Sequence, residues 1–299
     1  MDKQFIQIFK KVINDYGLEI CDDTKILNSL LADYSKGEYY KERHLIVWVL
    51  EANKNNNLKI NMEYDIWKNQ CITNLYQNEF IDKKRASWAI DILFGYKYYL
   101  DRGFYLIDNS KLDEANISFD NALEINQYSA EAYHGKGIIA SKNEDYDNAI
   151  KYFENSIQHE NLLKSENNEH ISDCYYKIGK KYLMNRSFTN AILYFEKAIK
   201  LYPKLIDSVF KSLSDAYRLR AYDNHTHKKY YDAINDYNLS MKYLPNNSIE
   251  LKMNILGDQA RAYSVIGDKN NELKNYNEIL KIKPDNIEIL HKKSKINLK

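Results

Sequence analysis

Proline is nearly absent from this chain, at three residues in 299, and glycine is sparse at nine. So few turn formers exclude a sandwich or barrel of many short strands and suit helices joined by short turns. Cysteine is equally scarce. Cys21, Cys71 and Cys174 are odd in number and widely spaced. They give neither a disulfide framework nor the paired spacing of a metal site, and they suit a reducing compartment. Neither sign of charge dominates: 43 Lys and Arg face 42 Asp and Glu, for a formal net charge of +1. A general nucleic-acid binder needs a basic field for phosphates, and this balance supplies none. No apolar run approaches the length of a bilayer span. Met1–Asn14 has a helical pattern interrupted by Lys10 and Lys11, without the apolar stretch and cleavage site of a secretory signal. The expectation is a soluble cytoplasmic protein with neither membrane nor nucleic acid as partner. The heavy use of Lys, Asn, Ile and Tyr fits an A/T-rich bacterial genome, and most of the 27 tyrosines are expected to be packing residues.

The three prolines mark a repeat. Pro203, Pro245 and Pro284 close similar segments, the first two in the pattern Ala-x-x-x-aromatic-x-x-small: Ala191/Phe195/Ala198 and Ala233/Tyr237/Ser240. The pattern recurs without proline at Ala115/Phe119/Ala122 and Ala149/Phe153/Ser156, a shift of 34 residues at every marked position. A period of this length signals a solenoid, in which one unit cannot bury its apolar face alone and neighbours must stack. Small residues leave room for the aromatic of a facing helix. Proline cannot continue a helix and suits the start of the next.

These residues resemble the tetratricopeptide repeat (TPR) family, in which each repeat is a pair of antiparallel helices. Aligned to that pattern, repeat one is 96–129 (Tyr99, Gly103, Ala115, Phe119, Ala122) and repeat two is 130–163 (Tyr133, Gly137, Ala149, Phe153, Ser156). Repeat three is 172–205 (Tyr175, Gly179, Tyr182, Ala191, Phe195, Ala198, Pro203), and repeat four is 214–247 (Tyr217, Ala221, Ala233, Tyr237, Ser240, Pro245). Repeat five is 253–286 (Leu256, Ala260, Tyr263, Tyr276, Pro284). The resemblance implies an all-α fold: an N-terminal helical bundle over 1–95, a right-handed α-solenoid of about five repeats over 96–286, and an end helix and tail over 287–299. Repeats two, three and four are spaced by 42 residues. The extra residues, Asn161–Ile171 and Ile206–Leu213, are expected to lengthen helices or turns. Repeat five has Glu272 in place of Ala and Ile279 in place of a small residue, so it is expected to be terminal or loosely packed.

Residues 1–95 lack these marks but keep a helical period. Phe5, Ile8, Phe9 and Val12 recur at helical spacing before Tyr16-Gly17. Asp22-Asp23-Thr24 offers an N-cap for a helix through Leu27, Leu30 and Leu31. Lys36-Gly37 turns the chain into a helix through Leu45, Val47, Trp48 and Leu50, and Asn53–Asn57 is a polar loop. Ile66–Leu75 and Lys84–Phe94 complete about five helices. Leu30-Leu31-Ala32-Asp33-Tyr34 and Trp88–Gly95 resemble a small helical module attached to diverse domains in bacterial proteins, and would serve equally as core. No linker is visible before Tyr96.

No motif for catalysis, cofactor or metal emerges. There is no Gly-rich phosphate loop, no Gly-x-Ser-x-Gly and no His-Glu-x-x-His. Gly135-Lys136-Gly137 falls inside a repeat helix. His225 and His227 stand two apart, which diverge on a helix. Cys174 is expected to be a buried, inert thiol. Binding is the remaining function. The resemblance places first-helix residues in an inner groove: Leu100 and Phe104, Glu131, His134 and Ile138 in the first two repeats. The chaperone-binding members hold a peptide carboxylate with Lys and Asn where Leu100 and Phe104 stand, so that clamp is excluded. In repeats three to five the groove positions give Tyr176, Lys180, Arg218, Tyr222 and Arg261. Tyrosine and arginine are frequent anchors, and cations favour acidic ligands. The expected function is a non-enzymatic adaptor that binds an acidic or aromatic-bearing protein segment. A peptide-responsive sensor controlling the N-terminal bundle is the alternative, and an enzyme within that bundle is the less favoured reading.

Overall fold

A computed structural model describes residues 3–16, 20–21, 23–53, 64–79 and 82–297, and all regular structure among them is helical. The chain divides into two compact units, Met1–Asn167 and Asn168–Lys299, each considered by itself.

The first unit begins with α1 (Lys3–Tyr16), α2 (Thr24–Tyr34), α3 (Tyr40–Asn53), α4 (Tyr64–Glu79) and α5 (Lys83–Ile90). Their shared core contains Phe5, Val12, Leu27, Leu31, Ile46, Trp67 and Ile90. Asp23 caps α2 by accepting from the Lys25 and Ile26 amides at 3.1 and 3.0 Å. Asp82 does the same for α5 at Lys84 and Arg85. Gly37, at φ 83°, makes the turn expected at Lys36-Gly37. Gly17, Asp22 and residues 54–57 of the expected polar loop lie outside the described residues. Leu31 is fully buried and Trp88 packs 6.0 Å from the Phe5 ring, while the Tyr34 hydroxyl donates to Asp15 at 2.7 Å. Leu31 and Trp88, in the segments that resemble a bacterial module, thus act as packing here. One π-helical turn, Asp91–Gly95, joins α5 to α6 (Tyr96–Asp108).

Helix pairs follow. In the first unit α6 packs on α7 (Leu112–Ile125), and α8 (Ala130–Lys142) on α9 (Tyr146–His159). α10 (Lys164–Met184) starts in the first unit and continues into the second, where α11 is Phe188–Leu201. Then α12 (Ile206–Thr226) packs on α13 (Tyr230–Lys242) and α14 (Ile249–Ile266) on α15 (Lys269–Ile282), followed by α16 (Ile287–Asn297). The extra residues of the longer repeats extend the N-termini of α10 and α12 to 21 residues each, behind the 3₁₀ turns Asn161–Leu163 and Pro203–Leu205.

The packing explains the small/aromatic pattern. A Cβ built on Gly103 would lie 2.6 Å from the Phe119 ring; on Gly137, 2.5 Å from Phe153; on Gly179, 2.7 Å from Phe195. Each ring therefore rests on a helix surface that only glycine leaves open. Phe119 also lies against Gly135 of the next pair. Where serine replaces alanine at the small position, its hydroxyl is satisfied: Ser156 accepts from Asn167 at 2.9 Å, and Ser240 donates to the Ser214 carbonyl at 2.8 Å.

Each pair is joined by the same turn. Ser110, Glu144, Arg186, Lys228 and Gly267 all have φ between 58° and 77°. The following amide donates back to the carbonyl five residues earlier, as in Asp145 to Ala140 and Lys229 to Asn224, at 2.9 and 2.8 Å. This is the six-to-one bond of a Schellman turn. Only the fifth pair supplies the glycine that this conformation favours.

Repeat five, the last helix pair before α16, fits the terminal one of the two alternatives expected for it. It is not loosely packed: Tyr276 and Ile279 are 3% and 2% exposed, and Ile279 is accommodated because Leu256 and Ile289 of α16 share its cluster.

Gly179→Ala should destabilise the protein by about 1–3 kcal/mol, because the new methyl must displace Phe195. Gly257→Ala, on α14 with nothing within 4 Å of the added methyl, should instead stabilise by up to about 1 kcal/mol through helix propensity. Thermal melts of the two variants test the opposite signs. Ala191→Leu, at a site of 0% exposure, should likewise cost about 1–3 kcal/mol. Asn190→Leu, on the exposed face of α11, should change the melt little.

Candidate binding groove

The predicted inner-face residues are mostly packed in the first unit and more open in the second. In the first unit the expected inner residues are mostly packing. Leu100 is 8% exposed, and Phe104 meets Phe119 edge-on at 5.0 Å. His134, expected in the groove, is buried between Phe104 and Phe153. Its Nδ1 lies 2.6 Å from Asn167 Oδ1, and its Nε2 lies 3.5 Å from Glu166. Two phenylalanine rings flank this position, so the imidazole is held inside by them and by Asn167.

In the second unit α10, α12 and α14 carry the five predicted residues. Tyr176 on α10 is half-buried against Phe195, with its hydroxyl 3.3 Å from Ser212 Oγ on α12. Lys180 is exposed, its ammonium 5.7 Å from the Tyr176 ring centroid, within cation–π range. Tyr176 is thus as much a packing residue as a surface one.

Arg218, Tyr222 and Arg261 share one electrostatic neighbourhood. Asp258, Arg261, Arg218 and Tyr222 all act electrostatically on the buried Tyr237 hydroxyl, whose pKa is raised chiefly by burial. Arg218 reaches Asp215 at 3.9 Å, and its buried Nε has no hydrogen-bond partner. Arg261 pairs with Asp258 one turn away and remains exposed, and Tyr222 is 53% exposed. Arg220, two residues from Arg218, has a structural role. It binds the buried Asp236 through Nε and Nη2 at 2.9 and 2.7 Å, and Asn224 donates to the same carboxylate at 3.0 Å.

The surface continues onto α16. His225, Arg261, Lys292 and Lys295 line one cleft of about 820 Å³. The sequence reading missed the two lysines because they lie beyond the repeats. Their spacing of three residues on a helix was the available signal. His227 turns away to the Asp223 carbonyl, 2.8 Å from its Nδ1, while His225 meets Tyr230 edge-on at 5.3 Å. Cys71 and Cys174 are buried, and burial pushes the Cys71 thiol up to about 11.

Across residues 128–204 the chain matches the family model of the tetratricopeptide repeat. That stretch carries tetratricopeptide repeats. No curated protein matches this chain. Solved structures that it resembles include YrrB, "a TPR protein with an unusual peptide-binding site", at 18% identity over 66% of this chain and 91% of that one, with a TM-score of 0.29. TTC0263, a thermophilic TPR protein of Thermus thermophilus, shares 14% identity over 68% and 100%, with a TM-score of 0.29. Pseudomonas aeruginosa pilF shares 15% over 85% and 97%, with a TM-score of 0.30. The TPR fold supports a role in protein–protein interaction. Among the described residues, no helix is long and apolar enough to cross a membrane.

His225 titrates below an ordinary imidazole, first because it is partly buried and then because Arg261 repels its charged form; Asp258 opposes the shift. Arg261→Ala should therefore raise the His225 pKa, read from its ring protons by NMR. The native value lies below the unfolded 6.5. The stability contributed by neutral His225 is thus complete above that pH and is lost as pH falls through the native pKa. Arg261→Ala should reduce this loss in melts across the same window.

Proposed function

We propose that this TPR protein is a non-enzymatic adaptor whose inner helix face in repeats three to five holds an acidic or aromatic-bearing segment of a partner protein. The observation that carries this reading is the gathering of Arg218, Tyr222 and Arg261 around the buried Tyr237 hydroxyl, with Tyr222 and Arg261 left exposed. A tyrosine ring supplies apolar area with a polar tip, and an arginine can grip a carboxylate with two hydrogen bonds. Arg261 is already engaged by Asp258 within its own helix. An incoming carboxylate would exchange one anion for another there, so the exposed tyrosine and Arg218 supply the added contact. Tyr176 and Lys180 extend the same face along α10. The scarcity of cysteine fits a reducing interior, and we assign the protein to the bacterial cytoplasm.

A fluorescein-labelled peptide of Glu, Asp and Phe residues tests the reading by anisotropy. Binding should weaken as salt rises, because exposed charges are screened. Arg218→Ala and Tyr222→Ala should each weaken it several-fold while the helical circular-dichroism signal stays unchanged. Unchanged affinity in both variants moves the site elsewhere.

A further inference from the structure

We infer that α16 is more than the end cap of the solenoid: with α12, α14 and α15 it forms a pocket for a carboxylate side chain, flanked by an apolar residue, of an acidic partner peptide. This deepens the groove reading above and rests on it, since Arg261 belongs to both.

The cleft of about 820 Å³ draws its walls from four helices. His225 comes from α12, and Arg261, Ser264 and Val265 from α14. Lys269, Glu272 and Tyr276 come from α15, and Lys292, Lys295 and Ile296 from α16. Its charged lining is uneven. Arg261, Lys269, Lys292 and Lys295 are cations, and Glu272 is the one carboxylate among them. Glu272 is unavailable to a ligand as a competitor in the open, being 6% exposed and accepting the Tyr276 hydroxyl at 3.3 Å. Two further carboxylates serve two of the cations: Asp258 pairs with Arg261 and Glu288 with Lys292. Among the described residues no ion pair engages Lys269 or Lys295, both exposed. Two lysines are thus left on the rim of a concave surface whose other charges are compensated, and an anion entering there meets a field that the protein has not neutralised.

The apolar part of the cleft selects the kind of anion. Val265 is 56% exposed, and Ile296 lines the same space. A bare inorganic anion would leave these side chains wet, whereas a peptide with an apolar residue beside a carboxylate covers them and meets the lysines. The Ser264 hydroxyl adds a donor within the lining. Charge and apolar surface together thus specify a Glu- or Asp-containing protein segment.

The test uses the full chain and a labelled peptide of alternating Glu and Phe, with its Gln-for-Glu counterpart as control. Lys292→Glu/Lys295→Glu should weaken binding by about tenfold, as the attraction of Lys295 becomes a repulsion and Glu288 loses the lysine that neutralises it. Lys274→Glu/Lys281→Glu reverses as much charge on α15 where another surface concavity lies, and should change affinity less than about twofold. Lys269→Ala combined with Lys295→Ala, which removes only exposed side chains, provides the answer if the reversal variant unfolds by circular dichroism; it should weaken binding several-fold. Equal loss in both reversal pairs would reduce the effect to net charge and overturn the pocket. Loss with Arg218→Ala and Tyr222→Ala but not with the α16 or Lys269/Lys295 variants would retain the groove and overturn this inference alone. Equal binding of the Gln peptide, or full displacement by millimolar inorganic phosphate, would overturn it as well.

Discussion

One contact recurs through the TPR region and makes the rest possible: an aromatic ring of the second helix lies against a bare stretch of the first. Phe119 on Gly103, Phe153 on Gly137 and Phe195 on Gly179 are the same contact in successive repeats. The ring fills a volume that a single methyl group would take away, so the glycines are fixed by sterics although each costs helix propensity. Small residues at Ala115, Ala149 and Ala191, all fully buried, flank the rings on their own helix. The separation of facing helices follows from this contact, and the side chains that remain between rings become available for other work.

Repeats four and five vary the contact in a way that bears on function. Tyrosine replaces phenylalanine, at Tyr237 and Tyr276, and alanine replaces the facing glycine, at Ala221 and Ala260. A buried phenol must place its hydroxyl. Tyr276 places it on Glu272 at 3.3 Å, which explains why a carboxylate occupies a position that is alanine elsewhere. Tyr237 carries its hydroxyl toward the charges on α12 and α14, where Asp258, Arg218 and Arg261 all influence it. In repeats four and five the buried phenols thus lie near the charged residues of α12 and α14, whereas in the first unit Phe104 is half-buried and His134 buried. Arg218 and Arg220 show how α12 serves both requirements. Arg220 is spent on Asp236, while Arg218, two residues away, belongs to the open face.

The pairing of helices was legible in the sequence because it depends on residue size, which the spacing of Gly, Ala and aromatics displays directly. The turns were not. Ser110, Glu144, Arg186 and Lys228 share no chemistry, yet each adopts the left-handed conformation, because the Schellman bond depends on backbone geometry and tolerates the side chain. The groove was half legible. Its helical positions point to Arg218, Tyr222 and Arg261 as candidates, but a position number cannot show that neighbouring rings flank a buried His134. It also cannot reach α16, whose residues match no repeat.

α16 shows why its charge and its packing cannot be separated. Ile289 is buried beside Ile279 and Leu256, and Ile296, seven residues on, packs against the same cluster. That spacing returns to one face of a helix and fixes the rotation of α16 against the last repeat. Lys292 and Lys295 fall between these two isoleucines, so their direction follows from the apolar contacts on either side of them. The last aromatic of the TPR region needs a cover, and the helix that provides it brings its lysines to the cleft beside Arg261. A terminal element that covers the apolar side of the last repeat therefore also lines the cleft that Arg261 shares.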